Sequence, residues 1–385
     1  MLLSNARLIL PDRILPKASL RVLDERIVAI APHLPAQPGE AVLDLAGRFL
    51  APGFVDLHIH GALRRDTMEA TPEAFAQIAQ FHASGGTTAL ALTTIVAPAE
   101  AILAVLETAG RIDPNRTGGA RLLGIHLEGP YFSPEKPGAH EPALIRNPLP
   151  EEYLAWLPYR ERITQITLAP ELPGALDCID ALSHAGIRIS GGHSDAWDEH
   201  AAAAFAHGMR QVTHTYNCMS SARRRGPFRA AGLLEFAMGE PDILCELIAD
   251  GFHVSPTLMR ALYRAKGPDG IALVTDATGG AGLPVGERFS IGHIEGLVCE
   301  GVAMTADGQS LCGSTARMNQ LVRTMVDQVH VPLVEAVRMA SLNPAKALGL
   351  EDQIGSLTEG TQADLVVLDD ALEVQMTFVA GQRVF

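Results

Sequence analysis

The segment GFVDLHIHG, residues Gly53–Gly61, combines the pattern of a buried β-strand with two histidines near its end. Side chains two residues apart on a strand point to the same face, so His58 and His60 present two imidazoles side by side. Buried polar groups need a hydrogen-bond partner or a ligand. The segment therefore predicts a strand of a buried sheet that ends in a functional site.

After this strand, β-type segments alternate with helical ones through the middle of the chain. The strand-like segments are TTALALTTI (87–95), RLLGIHLEG (121–129), ITQITLAPE (163–171), IRISGGHS (187–194), RQVTHTYN (210–217), LCELIADG (244–251) and IALVTDATG (271–279). Helical segments such as PAEAILAVLETAG (98–110) and SPTLMRALYRAKG (255–267) lie between them. This alternation predicts up to eight βα units on a parallel sheet. We predict a (β/α)8 TIM-like barrel in preference to an open doubly wound sheet.

Both ends of the chain have a different character. Short β-type segments with Pro, Asp and Gly breaks run to about Arg48, and ADLVVLD (363–369) and VQMTFVAGQRVF (374–385) repeat that style. This pattern is typical of a small antiparallel sheet. We expect residues 1–52 and 346–385 to form one discontinuous β-sandwich domain, and residues 53–345 to form the barrel.

Composition excludes several classes of protein. A formal net charge of −14 disfavours nucleic acid as the main partner, because that binding depends on neutralising phosphates. No apolar stretch approaches the ~20 residues of a membrane span, and the N-terminus does not have the pattern of a signal peptide. Five cysteines without a C-x-x-C pair argue against a disulfide framework or a cysteine zinc site. We expect a soluble, cytoplasmic protein.

Almost every predicted strand ends in, or is directly followed by, a polar residue. They are His58, His60, His126, Glu128, His193, His214, His253 and Asp276. In a barrel the carboxyl ends of the strands converge on one rim, where active sites lie. Imidazoles and carboxylates without thiolates are ligand types for zinc or iron, so the pattern predicts a metal site on that rim.

Specific motifs carry a resemblance to a known family. They are APGFVDLHIHG (51–61), HLEGPYFSPEKPGAH (126–140), TLAPE (167–171), GGHSDA (191–196), THTYNCM (213–219), IADGFHV (248–254) and LVTDATGGAGLP (273–284), followed by GSLTEGTQADLVVLD (355–369). In this order they resemble the N-acetylglucosamine-6-phosphate deacetylase family of the amidohydrolase superfamily. The resemblance implies hydrolysis of the N-acetyl amide of N-acetylglucosamine 6-phosphate to glucosamine 6-phosphate and acetate.

The same resemblance implies roles for the strand-end residues. Glu128, His193 and His214 would bind the main divalent ion, zinc or iron. His58 and His60, which some members replace, would hold a second ion together with Glu128. Asp276 would accept a proton from water and deliver it to the leaving amine, and His140 would donate a hydrogen bond to the carbonyl oxygen.

Substrate contacts are implied for His253, Asn217 and Cys218. The family also uses an arginine to bind phosphate across a homodimer interface; Arg225 in SSARRRGPF (220–228) aligns best, although Gly226 replaces an acidic residue and two more arginines precede it. Sequence does not separate epimers, so N-acetylgalactosamine 6-phosphate is an alternative substrate. An unphosphorylated N-acyl compound is a further alternative. The alternative from another class is a metal-free binding protein with the same fold.

Overall fold

The predicted alternation of strands and helices is present in the computed structural model, which describes residues 1–385. The strands are β1 Leu2–Ile9, β2 Ile14–Leu23, β3 Arg26–Ala31, β4 Val42–Asp44, β5 Phe49–Pro52, β6 Phe54–Ile59, β7 Gly61–Ala62, β8 Arg65–Asp66, β9 Thr87–Thr93, β10 Arg121–Glu128, β11 Ile163–Leu168, β12 Arg188–Gly191, β13 Met209–Val212, β14 Arg223–Arg225, β15 Phe228–Ala230, β16 Leu244–Leu247, β17 Ile271–Leu273, β18 Arg288–Ile291, β19 Ile294–Val298, β20 Val302–Thr305, β21 Leu311–Ser314, β22 Leu365–Leu368, β23 Val374–Val379 and β24 Gln382–Arg383. The helices are α1 Pro72–Ala83, α2 Ala99–Arg111, α3 Pro150–Tyr153, α4 Ala175–His184, α5 Asp198–His207, α6 Leu233–Gly239, α7 Pro256–Lys266, α8 Met318–Asp327, α9 Leu333–Ala340 and α10 Leu342–Ala347.

Eight parallel strands form the predicted barrel. Their order is β6-β9-β10-β11-β12-β13-β16-β17, so neighbours in the chain are neighbours in the sheet. The barrel closes between its first and last strands, where the Asp276 amide donates to the His58 carbonyl at 2.8 Å and the His60 amide donates to the Ala277 carbonyl at 2.8 Å. These closing bonds bring the end of β6 against the segment that follows β17, and they confirm the TIM-like fold.

The helices cover the outside of the barrel with their apolar faces. Helix α2 illustrates the rule, because its buried residues Ile102, Val105, Leu106 and Ala109 follow the spacing of one helix face. They belong to a single apolar core of 63 buried residues that runs around the barrel. This rigid scaffold holds the strand ends in place.

Strands from both ends of the chain form a second sheet, with β1–β5 from the N-terminus and β22–β24 from the C-terminus. The sheet is mixed rather than antiparallel, because β4 and β5 both pair in parallel with β1 after the β2–β3 hairpin has crossed over. It curls around its own core, so that Ile27 donates to the Thr361 carbonyl at 2.9 Å. The predicted boundary between residues 345 and 346 falls within α10.

Besides the short β7–β8 hairpin, two smaller β elements lie outside both sheets. Strands β18–β21 form an antiparallel sheet directly after the last barrel strand, and β14–β15 form a hairpin that carries the three consecutive arginines. Sequence patterning predicted neither as a separate element. No helix is long and apolar enough to cross a lipid bilayer.

Candidate metal centre and active site

The strand-end residues converge on one rim, as the barrel geometry requires. Glu128 is the last residue of β10 and His60 directly follows β6, whereas His193, His214 and Asp276 lie two or three residues beyond their strands. All five side chains are buried or nearly so. The sequence therefore places a dense group of ionisable side chains at the mouth of the barrel.

Glu128 lies at the centre of this group. Its Oε1 is 3.4 Å from His58 Nε2, 3.5 Å from His193 Nε2 and 3.2 Å from His214 Nε2. Its Oε2 is 3.3 Å from His60 Nε2 and 3.5 Å from His140 Nε2. One carboxylate thus bridges two pairs of strand-end histidines, His58 with His60 and His193 with His214.

The spacing of the nitrogens within each pair fits a metal ligand set. His58 Nε2 and His60 Nε2 are 3.3 Å apart, and His193 Nε2 and His214 Nε2 are 3.1 Å apart. Two nitrogens bound tetrahedrally to zinc at about 2.0–2.1 Å are separated by about 3.3 Å. Buried nitrogen and oxygen donors without thiolates also suit zinc or iron. The residues present therefore fit one or two divalent ions.

Electrostatics in the cluster favour a cation. Burial raises the pKa of Glu128, but His58 and the other surrounding imidazoles outweigh it and hold that pKa well below its usual range. Burial lowers the pKa of His60, yet hydrogen bonds to Asp276 and Glu128 raise it to about 9. Without metal the carboxylates thus hold extra protons on the histidines, and a divalent ion can take the place of those protons.

We predict a difference in pH dependence between the metal-free and the zinc-loaded protein. The folded-state pKa values of His60 and His193, about 9 and about 10, exceed the ordinary value of 6.5. Their protonation therefore stabilises the metal-free fold fully below pH 6.5, and this contribution is lost as the pH rises through 9 and 10. The Tm of chelator-treated protein should fall over that range more than the Tm of zinc-loaded protein. Identical profiles would contradict a shared proton and metal site.

His140 lies beside the cluster in a different role from the other histidines. The Val96 amide donates to His140 Nδ1 at 3.4 Å, so Nδ1 is an acceptor and Nε2 carries the hydrogen. Burial lowers the pKa of His140 to about 4, which keeps the imidazole neutral. A neutral ring with its N–H directed at Glu128 can donate a hydrogen bond into the pocket, although His140 also lies close enough to Glu128 and His193 to join a ligand group.

Strained backbone accompanies the site. His193, His214 and Asp276 have positive φ values of 47°, 29° and 49°, which non-glycine residues seldom adopt. Such strain is characteristic of functional sites, where the surrounding structure holds a side chain in one orientation. The Phe132 ring stacks on the His193 imidazole with centroids 4.0 Å apart, and the Lys136 carbonyl lies 2.9 Å from His193 Nδ1. His193 is therefore held with Nε2 toward the cluster.

A cavity of about 280 Å³ opens above the cluster. It is lined by His140, Asn217, Cys218 and His253 together with His60, Glu128, His193, His214 and Asp276. His253 is oriented by Asp250, whose Oδ2 lies 2.7 Å from His253 Nδ1. The predicted metal, catalytic and substrate residues other than Arg225 and the fully enclosed His58 therefore line one cavity. A side chain at position 138, where Gly138 has φ +59°, would place its Cβ 2.8 Å from Cys218 Sγ, so glycine allows the loop to lie against this wall of the cavity.

Arg225 does not reach this cavity within its own chain. Its guanidinium pairs with Glu199 and lies over the Trp197 ring. Arg223 lies on the same face of the hairpin and pairs with Asp195 at 2.5 Å. Arg224 points to the opposite face, directly across from Arg229 on β15. No lysine or arginine lines the cavity.

Two residues of the barrel interior differ from the sequence-based interpretation. His126 donates or accepts within a threonine cluster, with Nε2 2.7 Å from Thr167 Oγ1, and it does not join the metal-ligand group. Glu246 in LCELIADG was missed, although a glutamate inside an apolar strand is a detectable signal. It is fully buried beneath His58. The cavity wall formed by Ile291 and residues 310–313 of the β18–β21 sheet was also not anticipated.

A closed parallel barrel with histidines, a bridging carboxylate and an aspartate on its carboxyl rim defines a metal-dependent hydrolase. The chain belongs to the amidohydrolase family, whose model matches residues 49–384. Within that family it groups with the N-acetylglucosamine-6-phosphate deacetylases. The Vibrio furnissii enzyme of that name is 36% identical over 337 residues, which is 87% of this chain and 83% of the relative.

Two further comparisons bear on the substrate. An N-acetylgalactosamine-6-phosphate deacetylase from Escherichia coli O157:H7 is 36% identical over 98% of this chain and 97% of its own length. The solved structure of an aspartate-to-alanine variant of N-acetyl-D-glucosamine-6-phosphate deacetylase from Mycobacterium smegmatis, in complex with N-acetyl-D-glucosamine 6-phosphate, superposes with a TM-score of 0.92. It is 33% identical and covers 100% of this chain, which covers 99% of it.

Proposed function

We propose that this protein hydrolyses the N-acetyl amide of N-acetylglucosamine 6-phosphate to glucosamine 6-phosphate and acetate, with zinc as the metal in a cytoplasmic homodimer. The observation that carries the proposal is Glu128 between two pairs of histidines, with Asp276 and His140 on either side. Deacetylases of this substrate are among the relatives of near full length. No alternative nucleophile such as a serine or cysteine is needed.

The chain's own residues supply the proton transfers. A divalent ion held by Glu128, His193 and His214, with a second at His58 and His60, would lower the pKa of water that it binds toward neutrality. Asp276 Oδ1 lies 3.1 Å from His60 Nε2 and 3.4 Å from His58 Nε2, so it can accept a proton from water at this position. It then returns that proton to the leaving amine, while His140 Nε2–H donates to the carbonyl oxygen.

Acetate release from N-acetylglucosamine 6-phosphate tests the proposal directly. Release that a chelator abolishes and added zinc restores would support it. Absence of release with either zinc or iron supplied would contradict it and would favour a binding protein with the same fold.

Substituting His140 separates its proposed role from metal binding. We expect His140→Ala to lower kcat by about 10²–10³, the usual cost of removing one oxyanion donor. Zinc content should stay the same, because the His140 Nδ1 lone pair is already engaged by the Val96 amide. Metal analysis alongside initial rates checks both. Loss of zinc from the His140→Ala protein would make this histidine a ligand instead.

The proposed phosphate contact comes from the β14–β15 hairpin of the partner subunit. The cavity has no lysine or arginine of its own, and an arginine fork matches the geometry of a phosphate. Arg225, the candidate from the sequence, is paired with Glu199, whereas Arg224 makes no ion pair and faces Arg229 across the strands. Like charges directly opposite each other are unfavourable until an anion joins them. We therefore propose Arg224 as the principal phosphate ligand.

Single substitutions of Arg223, Arg224 and Arg225 check this assignment. We expect Arg224→Ala to raise KM for the phosphorylated sugar by about 10-fold or more, since hydrogen bonds to a charged group contribute about 1.5–3 kcal/mol. Arg223→Ala and Arg225→Ala should change KM less and mainly loosen the hairpin. If none of the three raises KM, the phosphate hypothesis is wrong.

A further inference from the structure

Glu246 lies in the interior of the barrel, directly behind the metal centre. Its side chain is fully buried on β16, and its Oε2 is 3.3 Å from His58 Nδ1. The same Oε2 accepts the backbone amide of His214 at 3.4 Å. One buried carboxylate therefore contacts a histidine from each of the two proposed ligand pairs, although it lies outside the ligand group itself.

A chain of hydrogen bonds fixes the orientation of this carboxylate. Arg188 Nε donates to Gln211 Oε1 at 2.6 Å. Gln211 Nε2 then donates to Glu246 Oε1 at 2.6 Å and to Gln165 Oε1 at 2.8 Å. Gln165 Nε2 completes the network by donating to Glu246 Oε1 at 2.8 Å. Glu246 Oε1 thus accepts two amide hydrogens, which leaves Oε2 to face His58.

The direction of every bond in this network follows from Arg188. A guanidinium only donates, so Gln211 must present its oxygen to Arg188 and its amino group to Glu246. Gln165 is oriented in turn, because its oxygen receives the Gln211 amino group. Glu246 can then only accept, and His58 Nδ1 must carry the hydrogen of the contact. When His58 is neutral, its Nε2 therefore has the lone pair toward the centre.

We propose that Glu246 is a positioning residue that holds His58 with the Nε2 lone pair directed at the metal site. Histidine ligands commonly donate their second ring nitrogen to a carboxylate or carbonyl, and this fixes the tautomer. His193 has such a partner in the Lys136 carbonyl, whereas the Nδ1 atoms of His60 and His214 have no hydrogen-bond partner. Within the His58–His60 pair, only the His58 ring is therefore oriented through its second nitrogen, and Glu246 is the residue that orients it. The proposal rests on the metal centre of the proposed function but not on the substrate.

The alternative is that Glu246 only satisfies buried amides and stabilises the barrel. A stability measurement alone does not separate the two roles, because removing a buried carboxylate weakens the fold in either case. Asp364 offers a matched control, since it is also a buried carboxylate and lies directly before β22, paired at 2.9 Å with Arg121 at the start of β10. Asp364→Asn should lower Tm and leave the metal centre unchanged.

The test uses full-length protein and two readouts that need no substrate. Zinc titration of chelator-treated protein measures affinity, and long-range 1H–15N NMR of labelled histidines, assigned with a His58→Gln sample, reports the His58 tautomer. In Glu246→Gln, part of the neutral His58 should carry its hydrogen on Nε2 instead of Nδ1, and zinc affinity at this pair should fall by about 10–100-fold. Unchanged affinity and tautomer would overturn the proposal.

A second variant keeps the experiment decisive if Glu246→Gln does not fold. Arg188→Met leaves the carboxylate in place but frees Gln211 to rotate, so it should weaken zinc binding in the same direction by a smaller factor. Zinc affinity equal to that of the parent in every variant that folds would contradict the positioning role. Because neither readout involves acetate release, weakened zinc binding would support the proposal even if the substrate assignment failed.

Discussion

Replacing Asp276 by asparagine is expected to lower kcat for acetate release by about 10²–10⁴, the range that one general acid–base residue supplies. Burial raises the pKa of this carboxyl group, but His58 and His60 outweigh it and keep the pKa below its ordinary value. Asp276 is therefore ionised and able to accept a proton at neutral pH. Asparagine has the same shape but cannot take up or return that proton, so KM should change little.

A matched control is available at the other end of β17. Asp269 precedes β17 at the opposite end of the barrel, where its side chain is 67% exposed and pairs with Arg338. Asp269→Asn should leave kcat unchanged. Steady-state kinetics and zinc analysis of both variants check the prediction. An Asp276→Asn protein that turns over at nearly the parent rate would exclude Asp276 as the proton carrier.

The second large effect is expected for Glu128→Gln. This carboxylate lies within 3.5 Å of imidazole nitrogens from both histidine pairs, so its charge supports both halves of the metal centre. Removing one partner of a buried charged group costs about 3–5 kcal/mol. Expressed as zinc affinity, that free energy is about 10²–10⁴-fold. Activity at limiting zinc should fall in parallel.

Glu40→Gln provides the control for this substitution. Glu40 is a half-buried carboxylate that pairs with Arg21 at 2.8 Å far from the barrel rim. Its replacement should affect stability without changing zinc content. Zinc binding by the Glu128→Gln protein that equals the parent's would contradict the bridging role of Glu128 and would restrict the metal centre to the histidines.

Much of the barrel and its rim could be predicted because strand patterns and strand-end residues are local signals. His58 and His60 lie two residues apart on a strand, and Glu128 ends a continuous apolar segment, so both could be assigned to the rim. His126 followed the same local pattern but points at Thr167 inside the barrel. His126 and Glu128 share the inward face because they are two residues apart, but the depth at which each lies depends on the stagger between neighbouring strands, which no single segment specifies.

Long-range pairing explains the remaining differences. The orientation of Glu246 depends on a hydrogen-bond network with Gln165, Gln211 and Arg188, which lie on other strands far away in sequence. The resemblance favours Arg225 as the phosphate ligand, and that assignment stays a prediction; our proposal of Arg224 instead rests on the hairpin pairing, which turns Arg225 toward Glu199 and places Arg224 across from Arg229. Alternation of side chains along a strand decides such a choice, and it requires the hairpin register.

The most direct test measures acetate release by zinc-loaded protein from N-acetylglucosamine 6-phosphate, N-acetylgalactosamine 6-phosphate and unphosphorylated N-acetylglucosamine, each with Asp276→Asn as the inactive reference. We predict fastest release from the gluco phosphate, loss of that release in the variant, and slow or no release without phosphate. Preference for the galacto phosphate would keep the mechanism and change the substrate. Release from none of the three would contradict the proposed function.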